Sequence, residues 1–111
     1  MQTEKKIYCL RCRPEHREAY IEYHKNVWSE VEDALKRGGA LGYDLYITPD
    51  NLLIASITFR IGNDMSTLGD ECSRDFVCRE WEELMTKYQD RCDFAAPNEW
   101  WCEIPRIYSL V

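Results

Sequence analysis

The run EAYIEYHKNVWSEVEDALKRGG, residues 18–39, places Tyr20, His24, Trp28 and Glu30 at helix-like intervals. The chain has only two histidines, and His24 falls where an apolar core residue is expected. At about 100° per residue, Tyr20, His24, Val27, Val31 and Leu35 share one helical face. Glu22, Lys25, Ser29, Asp33 and Lys36 share the other. The pattern therefore turns an imidazole and a phenol inward. Imidazole is the side chain best suited to giving and taking protons near neutral pH. Burying it costs free energy unless it is hydrogen-bonded, so a satisfied core histidine is the plain alternative. Tyr20 has the same alternative, a core tyrosine with its hydroxyl at the edge. Trp28 reads as packing, and Glu30 either orients a partner or is a solvated surface acid.

A frame must hold these residues. Residues 6–12 alternate as a strand. Pro14 suits the first turn of a helix, and the periodicity predicts one helix from there to about residue 37. Lys36 and Arg37 favour its negative end, and Gly38-Gly39 stops it. Residues 41–48 read as a second strand with Tyr43, Leu45 and Ile47 on one face. Pro49-Asp50-Asn51 is a turn. Residues 52–60, LLIASITFR, form a third strand, apolar enough to be central. The segment 61–73 is looser, with a short helical turn at 65–68. A second long helix spans 75 to about 89, its stripe being Val77, Trp81, Leu84, Met85 and Tyr88. A loop follows over 91–99. Residues 100–111 close the chain as a strand, with Pro105 marking an edge or bulge.

Composition bounds the class. The chain has 111 residues, 45% hydrophobic and 13% aromatic, including four Trp and seven Tyr. That is one domain, 1–111, with enough apolar material for its own core. A net charge of −6 argues against a nucleic-acid partner, which needs clustered Lys and Arg, and against an anionic membrane surface. The opening MQTEKKIYCLRCR lacks the apolar core of a signal peptide, and no stretch approaches the ~18 apolar residues of a membrane span. The expectation is a soluble, cytoplasmic protein.

Six cysteines stand at 9, 12, 72, 78, 92 and 102. In a reducing compartment they are expected to remain free thiols. Cys9-x-x-Cys12 has the spacing of half a zinc site, but residues three apart on a strand face opposite sides, and no second pair completes the set. No metal is expected.

The order β-α-β-β-α-β is that of the ferredoxin-like arrangement, an α+β fold with both helices on one face of an antiparallel sheet. The other face then needs cover. Either Tyr8, Leu10 and Cys12 or the alternate set Ile7, Cys9 and Arg11 must meet something there. A second copy of the chain is the simplest cover, giving a homodimer with sheets face to face.

The pieces also resemble a known family. Tyr20-x-x-x-His24, Val27-Trp28-x-Glu30, and Leu35 with Gly39 and Tyr43 are similar to the L-rhamnose mutarotase family. So are Asn51-Leu52-Leu53, Val77-Cys78-Arg79-x-Trp81-x-x-Leu84-Met85, and Ile107-Tyr108-x-Leu110. The resemblance covers nearly the whole chain in order. It implies a dimeric α+β barrel that interconverts the α and β anomers of L-rhamnose or a related 6-deoxy sugar. It further implies His24 as the general acid–base group, with Tyr20, Tyr43 and Trp81 contacting the monosaccharide. The family has a second tryptophan after the first. Here Glu82 stands in its place, removing an aromatic surface and adding a carboxylate able to accept sugar hydroxyls. Trp100 and Trp101 are candidates for the missing ring. Mutarotation opens and recloses a hemiacetal without net redox, so proton-transfer groups suffice and no cofactor is expected. Glu82 and the unusual 61–73 segment also leave open a non-catalytic small-ligand-binding or regulatory module on the same scaffold.

Overall fold

In the computed structural model, which describes residues 2–110, the chain forms one antiparallel sheet with its helices packed on one face. The first strand, β1, is Thr3–Cys12. After a 3-10 turn at Pro14–His16 come α1, Arg17–Tyr23, and α2, Ser29–Arg37. Strands β2, Ala40–Ile47, and β3, Leu52–Arg60, form a hairpin. Helices α3, Met65–Ser73, and α4, Phe76–Tyr88, follow. The short strands β4, Gln89–Asp90, and β5, Cys102–Ile104, end the regular structure. The sheet order is β2-β3-β1-β4, with β5 also on β1. This is the expected α+β ferredoxin-like order, with β3 central.

Register decides which side of the sheet is core. Tyr8 lies opposite Ala55, and Leu10 opposite Leu53. Leu45 pairs with Ala55, and Tyr43 with Ile57. These side chains all face the helices, where Leu10, Leu53, Ala55, Ile57 and Phe59 are almost fully buried. Of the two sets left open by the sequence, Tyr8, Leu10 and Cys12 therefore take the helix side. Ile7, Cys9 and Arg11 take the outer face with Leu52 and Ile54. Cys9 and Cys12 thus project from opposite faces of β1.

The hairpin turn is built as its residues predict. Asn51 takes a left-handed conformation, φ 70°, and the Thr48 hydroxyl accepts from the Leu52 N–H at 2.9 Å. Arg17 donates to both the Thr48 carbonyl and the Asn51 side chain at 2.8 Å, tying the start of α1 to this turn. Gly39 ends α2 with φ 101°. A Cβ there would meet the Asn63 side chain at 2.3 Å, so both conformation and space require glycine.

Four expectations need correction. The predicted single helix to residue 37 is two helices. The His24 ring nitrogen Nδ1 bonds the Tyr20 carbonyl at 2.8 Å, competing for the acceptor that would carry the helix onward. The His24 N–H is shared between the Tyr20 carbonyl at 3.4 Å and the Ile21 carbonyl at 3.1 Å, those of Lys25 and Asn26 bond carbonyls three residues back, and Trp28 is extended, ψ 138°. The turn expected at 65–68 is a full helix, nine residues long, because Asp64 and Thr67 form a reciprocal capping box and Leu68 and Cys72 bury on one side. The terminal strand covers only Cys102–Ile104. Pro105 cannot donate to the ladder, Ile107 beyond it is 96% exposed, and Val111 lies outside the described residues. The thiols are not all free. Cys72 at the end of α3 and Cys78 at the start of α4 form a disulfide, their Cα atoms brought to 5.2 Å by the tight turn between the helices. Cys9, Cys12, Cys92 and Cys102 are free and buried. Among the described residues no helix is long and apolar enough to cross a membrane.

Candidate active site

Between α1, α2, α4 and the β2 edge lies a cavity of about 340 Å³. Tyr20, His24, Tyr43, Trp81 and Glu82 all line it, with Asp44, Gln89 and Trp101. The five residues singled out in the sequence are thus brought together from three elements, α1 with its C-cap, β2 and α4. Glu30 is not among them; it sits on the exposed start of α2, bonded to Ser29. Glu32 lines the cavity instead.

His24 is the C-cap of α1. A carbonyl can only accept, so the bond from Nδ1 to the Tyr20 carbonyl puts the ring proton on Nδ1 and leaves the lone pair of the neutral ring on Nε2. The ring lies 4.5 Å from the Tyr20 ring and meets Trp81 edge-on at 5.4 Å. Burial lowers the His24 pKa, and the bond to the Tyr20 carbonyl offsets this only partly. At neutral pH the imidazole is held in its basic form.

Tyr20 is buried, and its hydroxyl is oriented by a chain of partners. The Trp100 indole N–H, which only donates, reaches Gln89 Oε1 at 3.0 Å. That fixes the amide, so Gln89 Nε2 donates to the Tyr20 hydroxyl at 3.0 Å. The phenol proton of Tyr20 is then free to point at a ligand. Burial pushes the Tyr20 phenol well above its ordinary range; the Gln89 bond opposes this, and nearby Glu82 adds to it. Burial raises Tyr43 in the same way, with smaller contributions from Tyr20 and Glu82. Both phenols remain neutral and serve as hydrogen-bonding groups.

Trp81 is almost fully buried and packs edge-on against Trp28 at 5.1 Å and Tyr23 at 6.1 Å. Trp28 is accordingly packing. Trp81 backs the His24 ring and also borders the cavity. Trp101, half-buried from the loop before β5, adds a second indole to the lining. Trp100 serves as hydrogen-bond donor instead. Glu82 keeps solvent-accessible surface because the cavity is open, yet it stands in a concavity with protein on most sides. That partial loss of water raises its carboxyl above the usual range.

A larger adjoining cavity of about 420 Å³ shares Val31, Leu35, Tyr43, Glu82 and Trp101 and runs over the Cys72–Cys78 disulfide. It has no imidazole; His24 lines the smaller cavity and also a third one of about 320 Å³ beside β2, with Tyr20, Leu45 and Tyr46. Gln89 is a cavity residue that periodicity missed. It read as the end of a helix, whereas the two-residue strand it starts pairs with Cys12 and turns it inward.

Comparison with known proteins bears on the family and the fold. Residues 5–110 match the family model for L-rhamnose mutarotase. The chain is 30% identical over 83 residues to an L-rhamnose mutarotase of Escherichia coli, covering 74% of this chain and 76% of that one. It is 28% identical over 93 residues to an L-fucose mutarotase of Xanthomonas campestris, covering 82% and 74%. A crystal structure of an L-rhamnose mutarotase from Formosa agariphila superposes with a TM-score of 0.69 over 97% of this chain and 99% of that chain, at 17% identity. At that identity the likeness speaks for the fold.

Proposed function

The chain belongs to the L-rhamnose mutarotase family, a family of isomerases, and from that premise we propose that it interconverts the α and β anomers of L-rhamnose or a related 6-deoxy sugar, with His24 as the acid–base group. The observation that carries the reading is the convergence of Tyr20, His24, Tyr43, Trp81 and Glu82 on one cavity. In this reading Nε2 of His24, which carries the ring's lone pair, exchanges a proton with the anomeric hydroxyl. Tyr20 and Tyr43, both neutral, hydrogen-bond ring hydroxyls. The indoles of Trp81 and Trp101 offer apolar surface to the sugar face and to a 6-deoxy methyl group. A relative named as an L-fucose mutarotase makes L-fucose the natural second substrate to test, since the two sugars differ in hydroxyl stereochemistry.

NMR saturation transfer between anomer signals of L-rhamnose, L-fucose and common aldoses tests this. Acceleration is expected for at least one 6-deoxy sugar. The rate should fall on the acid side, with an apparent pKa below the ordinary imidazole value, because protonating His24 removes the base. Ligand binding by a folded protein that accelerates no sugar would instead favour a binding module.

The working form in this proposal is a homodimer. The outer sheet face presents Leu52 and Ile54, Tyr46 is 56% exposed, and the terminal segment exposes Ile107, Tyr108 and Leu110. Monomeric proteins rarely leave so much apolar surface in water. Light scattering should give twice the chain mass of 13.2 kDa; a monomer at micromolar concentration would refute this.

A further inference from the structure

Resting on that reading, we propose that Glu82 is the second proton-transfer residue, working opposite His24 across the cavity. Four observations support it. Glu82 lines the same cavity as His24, and it directly follows Trp81, whose ring meets the His24 ring. It stands within electrostatic reach of Tyr20 and Tyr43, which line the same cavity, while keeping surface open to solvent. Among the described residues its carboxylate takes no hydrogen bond and no ion pair; only its backbone carbonyl is bonded, by Thr86. The nearest cation on its own helix, Arg79, lies over the Phe76 ring, 5.8 Å from its centre. An unpartnered carboxyl group that lines the same cavity as the imidazole is available to a ligand bound there.

Anomer exchange needs two proton transfers at different oxygens, and one imidazole nitrogen reaches them only in turn. With two groups the step balances. Nε2 of neutral His24 takes the proton of the anomeric hydroxyl, and the freed electron pair forms the aldehyde C=O. The bond from C1 to the ring oxygen breaks, its electrons going to that oxygen, which receives the proton of the Glu82 carboxylic acid. The aldehyde rotates about the C1–C2 bond. The ring oxygen then attacks the other face and returns its proton to Glu82, while the imidazolium returns the other to the new anomeric oxygen. The enzyme ends as it began. Burial acts in the required direction on both groups, holding His24 neutral and favouring protonated Glu82.

The test compares wild type, Glu82→Gln and Glu82→Asp by saturation transfer across pH, with circular dichroism to confirm folding. Glu82→Gln keeps size and hydrogen bonding but cannot exchange a proton, so kcat should fall by about 10²-fold or more with KM little changed. Glu82→Asp, which keeps the carboxyl, should retain more kcat than Glu82→Gln. Loss of the Glu82 proton should give wild type a fall in kcat towards high pH that Glu82→Gln lacks, while the acid limb of His24 stays. The titratable neighbours are Tyr20 on α1, Glu32 on α2, Tyr43 and Asp44 on β2, and Arg79 and Glu83 on α4; all are intact in both variants. A folded Glu82→Gln with wild-type kcat, or one that loses only KM, overturns the proposal and leaves His24 catalysis standing. Absence of acceleration by wild type itself overturns the mutarotase reading, and this proposal with it.

Discussion

His24→Ala should slow anomer exchange by roughly 10²–10⁴-fold, the range that positioned acid–base catalysis supplies, while leaving the protein folded. The fold should survive because His24 sits at a helix end and is only half-buried. The Tyr20 carbonyl, relieved of the ring, still accepts from the His24 backbone N–H at 3.4 Å, so no acceptor is orphaned. What disappears is the one imidazole in the cavity. Saturation transfer measures the rate, and circular dichroism the fold. The reference reaction proceeds unaided, so the residual rate should approach the uncatalysed one. A folded variant exchanging anomers at the wild-type rate would exclude His24 as the proton carrier. His24→Gln sharpens the result: it can still hydrogen-bond the Tyr20 carbonyl but cannot cycle a proton, so it should be as slow as alanine.

The largest stability effect should come from Trp81→Ala, at about 3–5 kcal/mol, the usual cost of truncating a buried tryptophan. Trp81 is 4% exposed and belongs to the main core cluster with Leu10, Leu53 and Met85. It also makes edge contacts with Trp28, His24 and Tyr23. Each such pair adds about 0.5–1.5 kcal/mol beyond area burial, and neighbouring side chains anchored on both sheet and helices cannot collapse into the space. A domain of this size has only about 5–15 kcal/mol in total, so the loss is a large share. The urea midpoint should drop with the slope unchanged. Catalysis should fall too, since the His24 ring loses its backing. A midpoint near wild type would mean Trp81 is not the packing centre described here. Trp81→Phe should recover much of the stability and less of the activity.

These two expectations separate a question the sequence left open. On the helical stripe, Trp81 was equally a core residue and a sugar platform. The structure makes it chiefly core, with one margin on the cavity, and supplies Trp101 as a further indole there. His24 was legible as an inward imidazole because it broke an apolar stripe. That it ends the helix, with its own ring bonding the Tyr20 carbonyl, was not. Periodicity records where side chains point, not which acceptor they take. Glu82 read as the edge of a stripe; that its carboxylate takes no partner among the described residues is visible only with its surroundings in place.

The sequence by itself determined what depends on neighbours along the chain. β3 was read at Leu52–Arg60, as found, because its turn and its apolar run are local. The turn at 49–51 and the Gly39 stop follow from backbone geometry that few residues accept. The β-α-β-β-α-β order and its family resemblance followed from these elements. Tertiary structure alone decided what depends on residues far apart. It chose the Tyr8 set for the core side of β1, since alternation marks two faces but not which one the helices cover. It paired Cys72 with Cys78 by folding two helices back on a tight turn. It joined Trp100, Gln89 and Tyr20 into one hydrogen-bonded line, Gln89 and Tyr20 lying 69 positions apart in sequence. Such contacts leave no periodic trace, because each partner satisfies only local rules until packing brings the other within reach.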